Sequence, residues 1–307
     1  MNKINFENDL ILAPMAGYSD LGFKCLCEKY GAGSTISEMI SAKALQFGSE
    51  KTQKMLSTNG LSKTRGVQIF GHEKDVMANV IKSGVFDDYD FIDINMGCPA
   101  PKIIKNKEGS FLLNDIKQAS EIIKSCVDAS NGKPISVKFR SGFDNEHLVY
   151  KDFAKMCEES GASFITIHAR TTEQKYSGKA NLEIIKEVKE SVKIPVCGNG
   201  DVVDRESYLK MKQTGVDYVM IGRGAIGNPY VFSEIQGIDY KKDLLNDITF
   251  HYNKMREVYG ERAVVNNMKK HVAIYLRKIP NYKECIKELF EATTINRALK
   301  IISDILK

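Results

Sequence analysis

The chain has 307 residues, of which 43% are hydrophobic and 27% are charged, and its formal net charge is +5 at neutral pH. This length suits two domains, and the sequence has no apolar run of about eighteen residues that would predict a transmembrane helix. Polar and acidic residues stand where a signal peptide would need an apolar stretch, so we expect a cytoplasmic protein.

Eight short apolar runs recur between residues 10 and 221, and amphipathic stretches with helical spacing separate them. Alternating strands and helices predict a parallel sheet, and eight such units over this length favour a TIM barrel over an open sheet. The predicted strands are residues 10–13, 34–37, 66–70, 91–94, 135–139, 164–167, 194–197 and 218–221.

After residue 240 only helical periodicity remains, with breaks at Gly260 and Pro280. We therefore predict two domains, a barrel of residues 1–240 and an all-helical domain of residues 241–307 with three or four helices. Residues 241–307 contain 14 Lys and Arg against 8 Asp and Glu, a net charge of +6, whereas residues 1–240 contain 30 against 31. The basic tail indicates either a polyanionic partner or a solvated helical surface.

The seven cysteines are odd in number and scattered, which is not the pattern of a disulfide framework. None shows zinc-site spacing, so no metal is predicted, and most are expected to be small core residues. Cys98 is the exception, because it follows a predicted strand and lies between Gly97 and Pro99. Glycine lets the chain pass close to a ligand, and proline biases the preceding residue toward an extended backbone. A thiol held there can give or accept a proton.

Polar residues and glycines follow nearly every predicted strand. Because the site of a TIM barrel forms at the carboxyl ends of its strands, we expect these residues to meet in one pocket. They are Pro14, Met15, Ala16, Gln68, Asn95, Cys98, Lys138, Arg140, His168, Arg170, Asn199, Gly200, Asp201, Gly222 and Arg223.

A G-x-G-x-x-G pattern occupies residues 222–227 and resembles a dinucleotide-binding fingerprint. It ends the series of strands and helices instead of opening it, so we reject that interpretation. Glycine loops after strands seven and eight are the usual phosphate site of a TIM barrel, and Arg223 adds positive charge there. The ligand is therefore predicted to carry a phosphate.

Three of the strand-end residues leave alternatives open. Lys138 could form a Schiff base, as in an aldolase, lie beside an anionic ring, or extend toward solvent. His168 could act as a base, as a hydrogen-bond donor, or in a structural role. Gln68 could bind a flat heterocycle through its amide, or be a satisfied buried amide.

Six segments of the chain resemble the tRNA-dihydrouridine synthases, nearest the bacterial B-type branch. They are residues 12–17, 93–99, 137–142, 167–171, 198–201 and 221–225. The resemblance runs from residue 10 to residue 235 in one order, and its most specific element is Asn-Met-Gly-Cys-Pro at residues 95–99. The tail is similar to the family's helical RNA-binding domain over a weaker match centred on residues 268–271.

The resemblance implies an FMN-binding TIM barrel that reduces the C5–C6 double bond of particular uridines in tRNA. NADPH or NADH would reduce FMN, hydride would pass to C6 of a flipped uracil, and Cys98 would protonate C5. It assigns flavin contacts to Pro14, Met15, Ala16, Gln68, Lys138, His168, Asn199, Gly200, Asp201, Gly222 and Arg223. It assigns contacts with uracil or RNA to Asn95, Lys102, Arg140 and Arg170.

The sequence has no tryptophan, so aromatic contacts of the tail with RNA are expected from its tyrosines and phenylalanines, with Tyr275 and Tyr282 as examples. Three other functions remain as alternatives: an FMN barrel acting on a free pyrimidine, an aldolase using Lys138, and a non-catalytic RNA-binding protein with the same fold. The first does not account for the basic tail, and the last does not account for the complete set of strand-end residues.

Overall fold

A computed structural model describes residues 4–280 and 282–307, with the side chain of Cys285 excluded. Within these residues the chain forms nine β-strands. They are β1 (Leu10–Leu12), β2 (Ser34–Ile36), β3 (Ile40–Ser41), β4 (Thr64–Phe70), β5 (Phe91–Met96), β6 (Ile135–Arg140), β7 (Phe164–His168), β8 (Val196–Asn199) and β9 (Tyr218–Ile221).

The described residues also form fourteen α-helices and one 3₁₀ helix (Gly109–Asn114). The helices are α1 (Leu21–Lys29), α2 (Ala42–Gln46), α3 (Glu50–Lys54), α4 (Lys74–Lys82), α5 (Pro101–Lys105), α6 (Ile116–Ala129), α7 (Tyr150–Glu159), α8 (Leu182–Ser191), α9 (Arg205–Lys212), α10 (Val231–Gln236), α11 (Leu244–Tyr259), α12 (Glu261–Leu276), α13 (Tyr282–Glu291) and α14 (Ile295–Ile305). None of these helices is long and apolar enough to cross a membrane.

Eight parallel strands close into a barrel, which confirms the predicted TIM-barrel class. Each strand pairs with the next around the ring, β9 pairs with β1, and β2 pairs directly with β4. The ninth strand, β3, is a two-residue addition beside β4. The predicted strand at residues 194–197 begins at Val196 instead, because the amides of Lys193 and Ile194 donate to the Glu158 carboxylate at 2.8 and 3.0 Å.

Residues along each strand alternate between the barrel interior and the helical shell, as the two-residue period of a strand requires. On β5, Ile92, Ile94 and Met96 belong to the main core between barrel and helices, whereas Phe91 belongs to a separate cluster inside the barrel. Phe6 closes the amino end of the barrel, with its ring centroid 5.9 Å from that of Phe91. The polar side chains of the barrel interior lie toward the opposite, carboxyl end of the strands.

The chain after residue 240 forms four helices, α11 to α14, within the described residues. Gly260, at φ +74°, separates α11 from α12, as the sequence predicts. Helix α11 lies so close to α1 that a Cβ on Gly22 would stand 2.3 Å from the His251 ring. The buried Asp247 carboxylate also accepts hydrogen bonds from Tyr30 and Tyr230 at 2.7 and 2.6 Å. The helical segment is therefore packed firmly on the barrel.

Candidate active site

A cavity of about 880 Å³ opens at the carboxyl ends of the barrel strands. Of the site residues predicted from the sequence, fourteen line it: Pro14, Met15, Ala16, Gln68, Asn95, Cys98, Lys138, Arg140, His168, Asn199, Gly200, Asp201, Gly222 and Arg223. The strand ends thus bring together residues that are up to 209 positions apart in the sequence, from Pro14 to Arg223. A cavity of this size suits a cofactor or another small molecule of drug size.

Cys98 is held at the cavity by hydrogen bonds to its backbone. Its N–H donates to Asn95 Oδ1 at 2.9 Å, and its carbonyl accepts from the Ser110 N–H and hydroxyl at 3.1 and 3.0 Å. Burial raises the pKa of the Cys98 thiol, although nearby positive charge opposes the rise, so the thiol is protonated at neutral pH. Among the free cysteines of the described residues, Cys98 is half-buried and the other five are buried.

A chain of polar side chains continues from Asn95 into the barrel. Asn95 Nδ2 donates to Gln68 Oε1 at 2.8 Å, and Gln68 Nε2 donates to Asp93 Oδ2 at 2.6 Å. The second carboxylate oxygen of Asp93 accepts from the Ser136 hydroxyl at 2.6 Å. Gln68 is 1% exposed and Asp93 fully buried, so this network lies in a low-dielectric interior, where hydrogen bonds are strong.

Lys138 and His168 both have a lowered pKa. Burial and then the charge of Arg140 lower the pKa of Lys138 to about 8, whereas Asp93 opposes the fall, so the ammonium is charged at pH 7. Burial and then the neighbouring cations keep the pKa of His168 well below its ordinary value, so its ring is neutral. The Arg170 guanidinium lies 3.3 Å from His168 Nε2 and can only donate, which leaves the ring proton on Nδ1.

Arg140 and Arg170 are buried and bind backbone carbonyls. Arg140 donates to the carbonyls of Gly97, Thr171 and Lys175 at 2.8 to 2.9 Å. Arg170 does not line the cavity, and it donates to the carbonyls of Ser177 and Gly178. Both guanidiniums thus fix the loop of residues 171–178 beside the cavity. Their predicted contacts with uracil stay predictions.

The predicted phosphate end is built around Asp201. Its carboxylate forms ion pairs with Arg170 at 2.7 Å and with Arg223 at 3.1 Å, so it holds both guanidiniums at this end of the cavity. Gly200 has φ +138°, and a Cβ there would lie 2.5 Å from that of Ala180. The Arg223 guanidinium also lies 5.1 Å from the exposed ring of Tyr176, which lines the cavity. Half of the Arg223 side chain remains open to solvent.

The helical segment supplies part of the cavity wall, through Ile274 and Arg277 at the end of α12. Tyr275, between them, is 5% exposed, and its hydroxyl lies 3.2 Å from His251 Nδ1. The expectation that Tyr275 contacts RNA is therefore wrong, because its ring packs into the boundary with the barrel. Tyr282 is partly exposed. Lys102 is exposed on α5 and does not line the cavity, so its RNA contact stays a prediction.

Three residues that position the site were not predicted from the sequence. Asp93 and Ser110 fix the network and the loop around Cys98. Asp20 accepts from His251 at 2.8 Å and lies 2.9 Å from His271 Nε2, which joins the loop after β1 to α11 and α12. An acidic residue inside the predicted strand 91–94 was the available signal for Asp93. Nothing in the local pattern pairs Asp20 with histidines more than 200 positions later.

Comparisons with known proteins agree with this geometry. The family model described as dihydrouridine synthase (Dus) matches residues 11–307. A probable tRNA-dihydrouridine synthase of Rickettsia conorii is 35% identical over 297 residues, covering 92% of this chain and 89% of that protein. The tRNA-dihydrouridine synthase B of Vibrio parahaemolyticus is 36% identical over 288 residues, with coverage of 91% and 89%.

Solved structures support the fold alone. Morphinone reductase in complex with tetrahydroNAD has a TM-score of 0.53 at 10% identity, and covers 78% of this chain and 89% of that one. The old yellow enzyme homologue from Zymomonas mobilis has a TM-score of 0.54 at 12% identity, with coverage of 80% and 94%. The match of the family model over nearly the whole chain, together with these relatives, shows that the chain belongs to the dihydrouridine synthase family.

Proposed function

We propose that this chain reduces the C5–C6 double bond of uridines in tRNA to 5,6-dihydrouridine, with FMN as the flavin and NADPH or NADH as the reductant. The observation that carries the proposal is the convergence of a protonated cysteine, Cys98, with the glycine loops and Arg223 at one barrel mouth. The relatives described as tRNA-dihydrouridine synthases support the same reaction. A tRNA substrate agrees with the expected cytoplasmic location.

The residues of the cavity fit a flavin mononucleotide. At one end, Gln68 offers an amide and Lys138 a half-buried ammonium for the polar edge of a flat ring. At the other end, Arg223 and the backbone of residues 199–201 surround the place of a phosphate. The bound flavin would supply the hydride.

The proposed roles of the chain's own residues are binding and proton donation. Cys98 must keep its proton until charge develops on the substrate, and its raised pKa favours that state at neutral pH. Asn95 holds the Cys98 backbone and lines the cavity where a planar base would lie. A uracil must leave its stack in tRNA to reach the cavity, because the chemistry takes place inside the barrel mouth.

The helical segment is proposed to be the tRNA-binding domain, with its boundary at residue 240. Its net charge of +6 favours RNA phosphates, and Arg277 reaches the cavity from α12. A free pyrimidine would need no such surface. Truncation at residue 240 is a poor test, because it would expose the buried contacts of α1 with α11, including those of Gly22 and Asp247.

The first experiment uses the full chain with FMN, NADPH and unmodified tRNA, and maps dihydrouridine by mass spectrometry. We expect tRNA to be modified, whereas free uridine stays unreacted. In Cys98→Ala, flavin absorbance and NADPH oxidation should persist while dihydrouridine formation falls by about 10²- to 10⁴-fold. Product from free uridine alone would favour the pyrimidine reductase, and a colourless protein that binds no flavin would favour the aldolase.

A pair of charge variants tests the role of the helical segment. Arg277→Ala with Lys278→Ala should raise KM for tRNA and flatten its salt dependence, because each lost phosphate contact lowers the slope by about 0.7 to 0.9. Lys117→Ala with Lys124→Ala removes the same charge from exposed positions of α6 and is the matched control. Equal effects of the two pairs would contradict a specific RNA surface on the helical segment.

A further inference from the structure

A buried carboxylate inside the barrel, Asp93, has no role in the proposed chemistry and does not line the cavity. It lies on β5, in register with Gln68 on β4 and with Ser136 on β6. Both neighbours donate hydrogen bonds to it at 2.6 Å, one to each carboxylate oxygen. A carboxylate without solvent contact is costly in a protein interior, so its retention needs an explanation.

The hydrogen bonds above Asp93 form a chain with one direction. The Cys98 N–H donates to Asn95, Asn95 donates to Gln68, and Gln68 donates to Asp93, over distances of 2.9, 2.8 and 2.6 Å. The two ends of this chain determine its direction. A backbone N–H can only donate, and an ionised carboxylate can only accept.

This fixed direction determines how both amides are turned. Because the Asp93 carboxylate accepts, Gln68 must present Nε2 to it and Oε1 to Asn95. Asn95 must then present Nδ2 to Gln68, which directs its Oδ1 to the N–H groups of Gly97 and Cys98, 3.2 and 2.9 Å away. Without an acceptor below it, the Gln68 amide can turn over and present Nε2 to Asn95 Nδ2. Asn95 then either loses its hydrogen bond to Gln68, or turns as well and loses the hydrogen bonds from the Gly97 and Cys98 N–H groups.

We propose that Asp93 is a positioning residue, which fixes the orientations of the Gln68 and Asn95 amides and thereby the backbone that carries Cys98. This inference rests on the proposed function, since it assigns Cys98 the proton that completes uridine reduction. Burial raises the pKa of Asp93 to about 6, against the two hydrogen bonds and the charge of Lys138, so the carboxyl is mainly ionised at pH 7. Asp93 thereby supplies the acceptor that the chain requires.

The test compares three variants of the full, FMN-loaded protein. Asp93→Ala removes the acceptor, and Asp93→Asn keeps an oxygen that can accept from Gln68 while its amide donates to Ser136. Ser136→Ala is the matched control, because it removes the other hydrogen bond to Asp93 and leaves the one from Gln68. If Asp93→Ala does not fold, Asp93→Leu fills a similar volume without an acceptor.

Two measurements separate positioning from general stability. The first is single-turnover formation of dihydrouridine by pre-reduced enzyme, with NADPH oxidation measured separately. The second is the rate of Cys98 alkylation by iodoacetamide, read on its peptide by mass spectrometry in protein with and without FMN. A change in melting temperature alone would alter neither rate in the folded protein.

We expect Asp93→Ala to lower the single-turnover rate by about 10- to 100-fold, as a small misplacement of a reacting group does. Its Cys98 alkylation should become severalfold faster, because the loop has lost its anchor, while Asp93→Asn and Ser136→Ala stay near the wild type. Wild-type rates in Asp93→Ala, or equal losses in Asp93→Ala and Ser136→Ala, would overturn the inference. If the wild type forms no dihydrouridine, the proposed function fails, and alkylation still decides whether Asp93 positions Cys98.

Discussion

Two aspartates, the fully buried Asp93 inside the barrel and the largely buried Asp20 between the barrel and the helical segment, have pKa values shifted in opposite directions. Asp93, inside the barrel, is bound by an amide and a hydroxyl, and burial raises its pKa to about 6. Burial alone would also raise the pKa of Asp20, but two imidazoles, from His251 and His271, hold it well below its ordinary value. The donors around a buried carboxylate, and not its burial, decide which form the fold favours.

The two aspartates also contact different parts of the protein, Asp93 the polar network of the active site and Asp20 the helical segment. Asp93 does not line the cavity but accepts a hydrogen bond from Gln68, which does. Because its donors are neutral, its pKa of about 6 lies only slightly below neutral pH. Asp20 joins α1 to α11 and α12, and it also caps α1 by accepting from the Phe23 N–H at 3.0 Å. We therefore expect changes at Asp93 to act mainly on turnover, and changes at Asp20 to act mainly on stability.

The largest expected effect on stability comes from Asp20→Ala. It leaves two buried imidazoles without their acceptor and removes a helix cap, so the free energy of unfolding should fall by about 3 to 5 kcal/mol. Chemical denaturation measures this, and turnover per folded, flavin-loaded enzyme should change little. Asp115→Ala is the control, because Asp115 caps α6 at 2.9 Å without touching a histidine. If Asp20→Ala and Asp115→Ala both lose only about 1 kcal/mol, Asp20 contributes no more than a helix cap, and its contacts with the histidines add nothing.

The pH dependence of stability should show Asp93 with the opposite sign to Asp20. The folded pKa of Asp93, about 6, exceeds the unfolded value of about 3.9, so the folded state binds more protons between them and stability falls as pH rises through that window. Relative to Asp93→Asn, the wild type should lose about 2 kcal/mol between pH 4 and pH 7. Asp20 contributes stability above its unfolded pKa, which is lost as pH falls through its lower folded value. A difference between wild type and Asp93→Asn that does not vary with pH would contradict the raised pKa.

A smaller effect is expected from Lys138→Ala, which removes the half-buried cation that opposes the raised pKa of Asp93. The affinity for FMN should fall by about 10- to 100-fold, since a hydrogen bond to a charged group contributes about 1.5 to 3 kcal/mol. Equilibrium dialysis or fluorescence titration measures the Kd for FMN. Lys43→Ala, at an exposed ion pair with Glu73, is the control, and an unchanged Kd in Lys138→Ala would remove this residue from the flavin site.

The smallest effect is expected from Lys270→Ala, which crosses the same boundary as Asp20 but at the surface. Its Nζ lies 5.3 Å from the centre of the Tyr18 ring, and the side chain is exposed. Cation–π contacts of this kind contribute about 0.5 to 1 kcal/mol, so the melting temperature should fall by only a few degrees. If Lys270→Ala destabilised the protein as much as Asp20→Ala, burial would not explain why the Asp20 contacts contribute more than the contact of Lys270 with Tyr18.

Much of the site could be predicted because a TIM barrel converts sequence position into spatial position. Once eight strands are assigned, residues at their carboxyl ends must converge, and fourteen of the predicted residues do line one cavity. The directions of Arg140 and Arg170 could not be predicted, since side-chain direction depends on which carbonyls the loops present. The prediction for Tyr275 was wrong because helical periodicity does not say which face of the helix packs against the barrel.

The sequence by itself determined the barrel, the helical tail and the resemblance carried by residues 95–99, because periodicity, strand-end chemistry and local motifs are properties of neighbouring residues. The tertiary structure decided that Asp93 lies beneath Gln68 and Asn95, and that Asp20 meets His251 and His271. These contacts join residues 25 or more positions apart, across strand pairs and between the barrel and the helical segment. Their hydrogen-bond directions and pKa shifts arise from the burial and donors that only the folded chain brings together.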